Sequence, residues 1–495
     1  MSVIHTPGRW LAWLASARLF WVMLALNVLA TIAVAVVGLH SITPDDRATW
    51  MGLAEGLQHG RYSFLYFLPN YAPDTFRNPG YPIFLFGLRE LGASEQTILL
   101  VQVGLYLATV ALLLHLAARC ENAKPSWLVR NIFLLLLLPN IQLAYLATYI
   151  YPEVLGAFLL TAYGTVALTW SRSSWPRTVA LALLAGFIFQ VRPTFIFFPL
   201  LQIALDFWQT KPKSAFSWSK ALLFLGLYGA TMLPYTLWNY RHHGVLKPTS
   251  LEGGAGVMQI GFWALRMPGY QEHRYWGNTM GSEIISFADT AAVPGHIAAF
   301  NREWDAIDAQ TKPLLTAQDQ HMLAVLHDSV ALRGPAFVGL YPAYNSAYVL
   351  RREHLLMQAN LADIRREPGY YLKTRLYTLV RLWITGVQRP TWRAATTPVA
   401  KLKALYPTLV SGVTFLLAML ALGWVLLRRR PVVASPTWQL ALALVVYFGL
   451  VHLPFAIQAR YTVPVRPWLL LGTALAVAAW LLPRSPAAAA VVPPR

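Results

Sequence analysis

Residues 19–39 read LFWVMLALNVLATIAVAVVGL, an apolar run about as long as the roughly 20 residues that cross a bilayer. The run is too long for the core of a signal peptide and has no clear small-residue cleavage site, so it predicts an anchored first helix. Of the 495 residues, 56% are hydrophobic and only 12% are charged, against roughly 25% charged in an ordinary soluble domain. The chain is therefore predicted to be an all-α polytopic membrane protein.

Further apolar runs recur along the chain and predict a bundle of about ten transmembrane helices. The predicted spans are 19–39, 97–118, 128–148, 153–170, 178–191, 194–208, 221–238, 407–427, 438–457 and 464–482. We divide the chain into an N-terminal transmembrane module (1–240, with a first external loop over 40–96), a mostly helical external domain (241–406), and C-terminal transmembrane helices with a cytoplasmic tail (407–495).

Basic residues in the short loops indicate how the chain is oriented in the membrane. If successive spans cross the membrane in alternate directions, one side of the membrane receives these basic residues: Arg9, Arg18, Arg119, Lys124, Arg130, Arg172, Arg177, Lys211, Lys213, Lys220 and Arg428 to Arg430. By the positive-inside rule this side is the cytoplasm, so both termini are predicted to be cytoplasmic. The same rule accounts for the net charge of +19, and no nucleic-acid-binding pattern appears, so no nucleic-acid partner is predicted. The alanine- and arginine-rich composition without organelle signals favours a bacterial inner membrane.

The first external loop carries TPDDRATWMGLAEGL over 43–57 and FRNPGYP over 76–82. Charged residues at a bilayer edge are costly unless they are paired, so they are candidates for function by default. A surface helix is predicted after Asp45 or Asp46: one of the two caps the helix and the other faces a cavity, and their roles could be exchanged. The apolar stretch 81–91 is about half a span long and predicts a re-entrant or interfacial helix, although a crossing helix is the alternative.

Two residues of this loop have side chains suited to chemistry on a phosphate-bearing substrate. Asp46 is the candidate base that removes a proton from a hydroxyl, and its alternative is a plain helix cap. Arg77 precedes a rigid Pro-Gly-Tyr-Pro run, and a guanidinium held in this way can bind a phosphate with two hydrogen bonds. The alternative interpretation is that Arg77 only extends its guanidinium to the membrane–water interface.

Other polar residues are predicted to lie on the same outer face. Glu153 follows Pro152 in a first helical turn, where it serves either the helix or a ligand hydroxyl. Arg192 and Arg460 stand at the outer membrane edge, where a lipid phosphate would lie, or are snorkelling residues. Arg241, with two adjacent histidines behind it, is a further candidate for phosphate, while the adjacent histidines are a weak metal signal. The single cysteine, Cys120, excludes an intrachain disulfide and any multi-cysteine metal site.

These motifs occur in a recognisable order, although each is short. The set is Asp46 with Trp50, Leu53-Ala54 and Gly60; Arg77-Asn-Pro-Gly-Tyr-Pro82; Tyr151-Pro-Glu153; Val191-Arg-Pro193; Pro234-Tyr-Thr-Leu-Trp-Asn-Tyr-Arg241; Glu367-Pro-Gly-Tyr-Tyr371; and Arg460-Tyr-Thr-Val-Pro464. The set resembles the GT-C superfamily of integral-membrane glycosyltransferases, in the branch (glycosyltransferase family 39-like) that contains protein O-mannosyltransferases and the aminoarabinose transferase of lipid A.

The resemblance implies an inverting transfer of one sugar from a polyprenyl-phosphate donor to an acceptor hydroxyl on the periplasmic face. The acceptor is an unknown glycan, lipid or protein. The implied roles are a base at Asp46, with Asp45 as the alternative, and phosphate binding at Arg77. Family members often carry Arg-Asn where this chain has Trp238-Asn239, so Arg241 is the candidate substitute.

Roles for the remaining residues are implied more loosely. Phosphate binding extends to Arg192 and Arg460, and sugar or acceptor binding falls to Glu153, Tyr81 and Tyr461. No cofactor is required, although a divalent cation beside Asp46 would be compatible. The alternatives are a lipid-linked sugar flippase or transporter and an O-antigen-type ligase. A flippase should carry polar residues through the bilayer midplane, often in internal repeats, and neither is seen in the sequence.

Overall fold

The structure, a computed structural model, describes residues 9–38, 46–68, 71–120, 127–210, 212–270, 281–286, 288–322, 324, 344–428, 431–455 and 459–482. Within these ranges the regular structure is helical, and the one β feature described is an isolated bridge between Glu283 and Gln388. The predicted all-α class is therefore confirmed.

The helices of the N-terminal half include the surface pair of the first external loop. They are α1 (Arg9–Leu14), α2 (Ala17–Gly38), α3 (Arg47–Gln58), α4 (Gly80–Glu90), α5 (Glu95–Cys120), α6 (Leu128–Leu137), α7 (Gln142–Tyr145), α8 (Pro152–Thr169), α9 (Trp175–Val191), α10 (Phe198–Gln209) and α11 (Trp218–His243). At 12 and 11 residues, α3 and α4 are too short to cross a hydrocarbon core. The length of α4 fits the interfacial or re-entrant prediction for 81–91.

The C-terminal half continues with helices of the predicted external domain and of the last spans. They are α12 (Gly254–Trp263), α13 (Val293–Thr311), α14 (Ser346–Arg366), α15 (Pro368–Trp383), α16 (Arg389–Ala394), α17 (Pro398–Leu427), α18 (Pro436–His452) and α19 (Arg466–Leu481). The boundary predicted at 406/407 falls inside α17, because Pro407 is accommodated within that helix. The motif that begins at Glu367-Pro-Gly separates two helices, since α14 ends at Arg366 and α15 begins at Pro368.

Five of these helices are long and apolar enough to cross a membrane, namely α2, α5, α8, α11 and α17. A sixth span results if α6 and the helical segment 142–148, bent by 64° at their junction, are counted as one. The described residues also contain three shorter apolar helices, α9, α18 and α19. The predicted span over 194–208 consists of a 3₁₀ turn, Pro193–Phe195, followed by the 12-residue α10. These helices are those of an integral membrane protein by length and composition.

Close helix contacts fix the centre of the bundle around α9, which packs between α8 and α11. A Cβ atom on Gly186 would lie only 2.0 Å from Oγ1 of Thr231, so glycine allows α9 and α11 to approach closely. A Cβ on Gly80, at the start of α4, would lie 2.4 Å from the backbone carbon of Gln190 at the end of α9. The first external loop is therefore docked directly on the C-terminal end of α9.

Candidate functional site

Five charged side chains from distant parts of the chain meet where the first external loop covers α8 and α9. The Oδ2 atom of Asp46 lies 3.2 Å from Nη2 of Arg77 and 3.3 Å from Nη2 of Arg460. Oε1 of Glu153 lies 2.6 Å from Nη2 of Arg192 and 3.9 Å from Nε of Arg460. We call these five residues the charged cluster; Arg460 links its two carboxylates.

The carboxylate of Asp46 does not serve as the cap of its helix. Asp46 occupies the N-cap position of α3, but its side chain makes no capping hydrogen bond there. It faces Arg77 and Arg460 instead, and 16% of the side chain is exposed. The plain-cap alternative for Asp46 is therefore wrong. Asp45 lies outside the described residues.

The two carboxylates differ in access. The side chain of Glu153, in the first turn of α8, is only 3% exposed and binds Arg192, which stands at the C-cap of α9. The ion pair joins the start of α8 to the end of α9, and removal of one partner would leave an uncompensated buried charge. Asp46 is the more accessible carboxylate of the charged cluster.

Aromatic rings surround the three arginines. The guanidinium of Arg77 lies 4.6 Å from the ring of Trp50. Arg460 lies 4.4 Å from the ring of Tyr151, and Arg192 lies 5.7 Å from that of Tyr461. Flat contacts of this kind restrict where a guanidinium can point while leaving its N–H groups able to bind an anion.

The backbone of Arg77 is held by residues that the sequence analysis did not single out. Oδ2 of Asp74 accepts hydrogen bonds from the backbone N–H groups of Phe76 (3.1 Å) and Arg77 (2.7 Å). The hydroxyls of Tyr62 and Tyr235 donate to the carbonyl of Arg77 over 2.9 and 3.1 Å. The sequence Asp-Thr-Phe-Arg over 74–77 could have indicated this role of Asp74, because an aspartate often accepts hydrogen bonds from the backbone N–H groups that follow it.

Asp74 is fully buried, and burial raises its pKa to about 7, although the backbone N–H of Arg77 and its positive charge act in the opposite direction. Its Oδ1 atom has no hydrogen-bond partner among the described residues. The charge state of a residue that positions Arg77 thus changes near neutral pH.

The same loop is tied to the start of the predicted external domain. The hydroxyl of Thr75 donates to Oε1 of Glu252 over 2.6 Å, and the backbone N–H of Leu251 donates to the carbonyl of Thr75 over 2.8 Å. Glu252 also binds Arg352 on α14, and burial raises the pKa of the Glu252 carboxyl. Residues 251–252 therefore brace the segment that carries Arg77.

Three other predicted residues occupy different surroundings. Tyr461 lies beside Arg192. Tyr81 is fully buried: its hydroxyl donates to Gln102, and its ring meets Trp50 edge-on, so it supports the wall behind Arg77 rather than offering a free hydroxyl. Arg241 is exposed in the last turn of α11. Of the predicted phosphate-binding arginines, the structure thus brings together Arg77, Arg192 and Arg460, without Arg241.

Trp238-Asn239, which stands where members of the resembled family often carry Arg-Asn, has a packing role. The ring of Trp238 stacks on Tyr235 and meets Tyr62 edge-on, and these are the two tyrosines that hold Arg77. The amide of Asn239 donates to the carbonyls of Lys247 and Thr249. This pair therefore packs behind the segment of Arg77 and orders the following loop.

The residues of the charged cluster are suited to an anion. Three arginines surround two carboxylates, and both carboxylates already contact guanidinium groups. Within the described ranges, no group of three or more His, Cys, Asp or Glu side chains is arranged to hold a metal ion. The donor set thus offers phosphate ligands.

Comparisons with known proteins find distant structural similarity. No protein-family profile matches the sequence, and no curated protein matches it. The chain is similar to ArnT from Cupriavidus metallidurans in the apo state, with 15% identity and a TM-score of 0.37 over 91% of this chain and 78% of that one. It is also similar to the same protein bound to undecaprenyl phosphate, with 14% identity and a TM-score of 0.33 over 89% and 77% of the two chains. At these scores the similarity is distant, so the function rests on the charged cluster itself.

Proposed function

We propose that the charged cluster is the active site of an inverting membrane glycosyltransferase, which moves one sugar from a polyprenyl-phosphate donor to an acceptor hydroxyl. The observation that carries the proposal is the position of Asp46, an accessible carboxylate between Arg77 and Arg460. A base beside two cations is what the reaction needs, because a proton must leave the acceptor while negative charge develops on the phosphate.

In the proposed reaction, the acceptor hydroxyl oxygen attacks the anomeric carbon from the side opposite the phosphate. The bond between that carbon and the phosphate oxygen breaks, and polyprenyl phosphate leaves with the bonding electron pair. The hydroxyl proton passes to Asp46, while the N–H groups of Arg77 and Arg460 stabilise the charge on the leaving phosphate. Attack from the opposite side inverts the configuration at the anomeric carbon.

The contacts of Asp46 suggest how the donor prepares the base. Without a donor, the carboxylate of Asp46 is held between the guanidinium groups of Arg77 and Arg460. A donor phosphate competes for the same guanidinium groups. We therefore expect donor binding to draw the arginines toward the phosphate and to make Asp46 available to the acceptor.

Several finer assignments belong to this proposal. The donor lipid is an undecaprenyl-type phosphate, of the kind bound in the ArnT neighbour, and Glu153 and Tyr461 line the sugar or acceptor side. The protein resides in a bacterial inner membrane with cytoplasmic termini, and the charged cluster faces the periplasm. The acceptor is a surface glycan, a lipid or a protein. No observation favours the flippase or O-antigen-type ligase alternatives over this reaction.

The test is transfer of label from radiolabelled polyprenyl-phosphate sugars by the purified protein, in detergent with host membranes as the source of acceptor. Asp46→Asn keeps the size of the side chain and removes the base, so we expect a rate lower by about two to four powers of ten. Glu55→Gln is the matched control, because it makes the same chemical change on α3 at a carboxylate that binds Arg89, outside the charged cluster.

Loss of transfer in Asp46→Asn alone supports the assignment. Equal transfer by the wild type and Asp46→Asn would refute the assigned base. A wild type that transfers no sugar from any donor, but moves labelled donor across proteoliposome membranes, would replace the transferase with the flippase alternative.

A further inference from the structure

A cavity of about 400 Å³ lies at the opposite end of α9 from the charged cluster. It is lined by the start of α9, the end of α10 and the start of α11, together with the loop residues Arg172, Ser173, Thr210, Ala215, Phe216 and Ser217. Arg177 of the cavity lining precedes Arg192 by 15 residues on α9, so the two lie about 22 Å apart along the helix. The cavity is therefore separate from the proposed active site, and a ligand bound in it is independent of the proposed function.

Cations outnumber carboxylates in this cavity, which we call the basic cavity. Its described lining includes Arg172, Arg177 and Lys220 but one acidic residue, Asp206. Asp206 is already neutralised, since its Oδ1 lies 3.1 Å from Nη2 of the buried Arg177. Arg172 and Lys220 thus remain as positive charges without a carboxylate partner in the described lining.

Neither of these two cations has used all its hydrogen-bond donors. Lys220 donates to the backbone carbonyls of Arg172 and Ser173, and Arg172 donates to Gln209. An arginine has five N–H donors and a lysine has three, so each side chain can bind a further acceptor. The Nε of Arg177, which is buried in the wall, has no hydrogen-bond partner among the described residues.

The backbone adds positive potential to the same place. Both α9 and α11 begin at the basic cavity, after Ser174 and Ser217, and neither serine side chain caps its helix. The N-terminal N–H groups of a helix carry a partial positive charge and readily bind phosphate.

Three exposed tryptophans near the basic cavity indicate how deep it lies in the membrane. Trp175 begins α9, Trp218 begins α11, and Trp208 lies near the end of α10; these residues are 50%, 66% and 69% exposed, respectively. Exposed tryptophans on helices of a membrane protein collect at the level of the lipid headgroups. The basic cavity thus opens at headgroup depth, on the side that the positive-inside rule assigns to the cytoplasm.

We propose that the basic cavity binds the phosphate of an anionic phospholipid from the leaflet opposite the charged cluster. The phosphodiester accepts hydrogen bonds from Arg172 and Lys220, and the acyl chains run along the exposed apolar faces of α9 and α11, which include Leu183 and Leu222. A basic pocket between transmembrane helices on the cytoplasmic side suits this chemistry. Inorganic phosphate offers the same oxygens but has no tails to hold at this depth.

The experiment is native mass spectrometry of the full-length protein titrated with phosphatidylglycerol or with phosphatidylcholine of the same acyl chains. We expect the wild type to prefer phosphatidylglycerol by at least about tenfold. In the double variant Arg172→Gln/Lys220→Gln its affinity should fall about 30-fold, from roughly 1 kcal/mol for each basic residue near the membrane surface. The charge-preserving variant Arg172→Lys/Lys220→Arg should stay within about threefold of the wild type, which separates lost charge from misfolding.

The matched control is Arg18→Gln/Arg119→Gln, which removes the same charge from exposed positions on the same predicted face, outside the basic cavity. We expect it to change the affinity by less than about threefold. An equal loss in this control, or equal binding of the two lipids by the wild type, would overturn the proposal. Complete displacement of phosphatidylglycerol by millimolar inorganic phosphate would also overturn it, because the ligand would then be a free anion.

Discussion

The two ends of α9 place arginines in contrasting surroundings. At the C-terminal end, Arg192 belongs to a cluster whose other members come from the first external loop, α8 and the segment before α19. At the other end, Arg177 lines a cavity built from residues 172–224 alone. Cations exceed carboxylates at both ends. The C-terminal end also has an accessible carboxylate, Asp46, whereas Asp206 at the N-terminal end is paired with a buried arginine.

This difference separates binding from catalysis. Cations at a helix end are enough to hold a phosphate, and nearby stretches of chain can supply them. Group transfer also needs a base on the acceptor side of the reacting bond. At the C-terminal end of α9 the base comes from a distant segment of the chain, since Asp46 and Arg460, 414 residues apart in sequence, form a direct ion pair.

The largest expected effect that tests this comparison is at Arg460. Arg460→Gln removes the side chain that links Asp46 to Glu153, and loss of one charge-stabilising donor typically lowers a rate by about 100- to 1,000-fold. The same substitution at Arg241, exposed at the end of α11, should lower the sugar-transfer rate by less than about threefold. Initial rates with labelled donor measure both. A loss at Arg241 as large as that at Arg460 would place the phosphate site near α11 instead.

How far the sequence could predict this site depends on the kind of residue. Asp46, Arg77 and Arg460 could be found because charges flanking apolar runs are conspicuous, and the alternation of spans brings them to one side. Asp74 and Tyr235 could not be ranked in this way, because their role consists of hydrogen bonds to the backbone of Arg77. Such contacts depend on the folded path of the loop.

The basic cavity illustrates the complementary case. The sequence identifies Arg172, Arg177 and Lys220 only as basic residues of short loops that indicate the topology. It contains no sign that they surround a common space. The cavity arises because three helix ends converge, and the short helix α10 contributes one of them. Helix convergence is a tertiary property, so neither periodicity nor hydropathy predicts it.

A smaller effect is expected where the first external loop meets α9. In Gly80→Ala the new Cβ would lie 2.4 Å from the backbone of Gln190, so the loop or the helix must shift. Overpacking of this kind costs about 1–3 kcal/mol. Gly87→Ala, on the same helix α4, meets no atom within 4 Å and should be neutral or stabilising by up to about 1 kcal/mol.

Thermal unfolding of both variants in detergent, with sugar-transfer rates measured alongside, is the appropriate measurement. We expect Gly80→Ala alone to lower the unfolding temperature and to lower the transfer rate with it, because Arg77 lies three residues before the disturbed contact. Equal unfolding temperatures for the two variants would show that the loop is not docked on α9 as described.

A further effect concerns pH and distinguishes Asp74 from the charged cluster that it supports. Burial raises the pKa of Asp74 from 3.8 to about 7, so between these values the folded protein holds a proton that the unfolded chain has released. The free energy of unfolding should therefore decrease as pH rises through this window, by at most about 1.4 kcal/mol per pH unit from this one group, and level off above it.

Asp74→Asn retains an oxygen that accepts the N–H groups of Phe76 and Arg77 and removes the titration. Unfolding temperatures measured from pH 5 to 8 should fall more steeply with pH in the wild type than in Asp74→Asn. Parallel curves would mean that the Asp74 carboxyl titrates outside this range and that water reaches it in the folded protein.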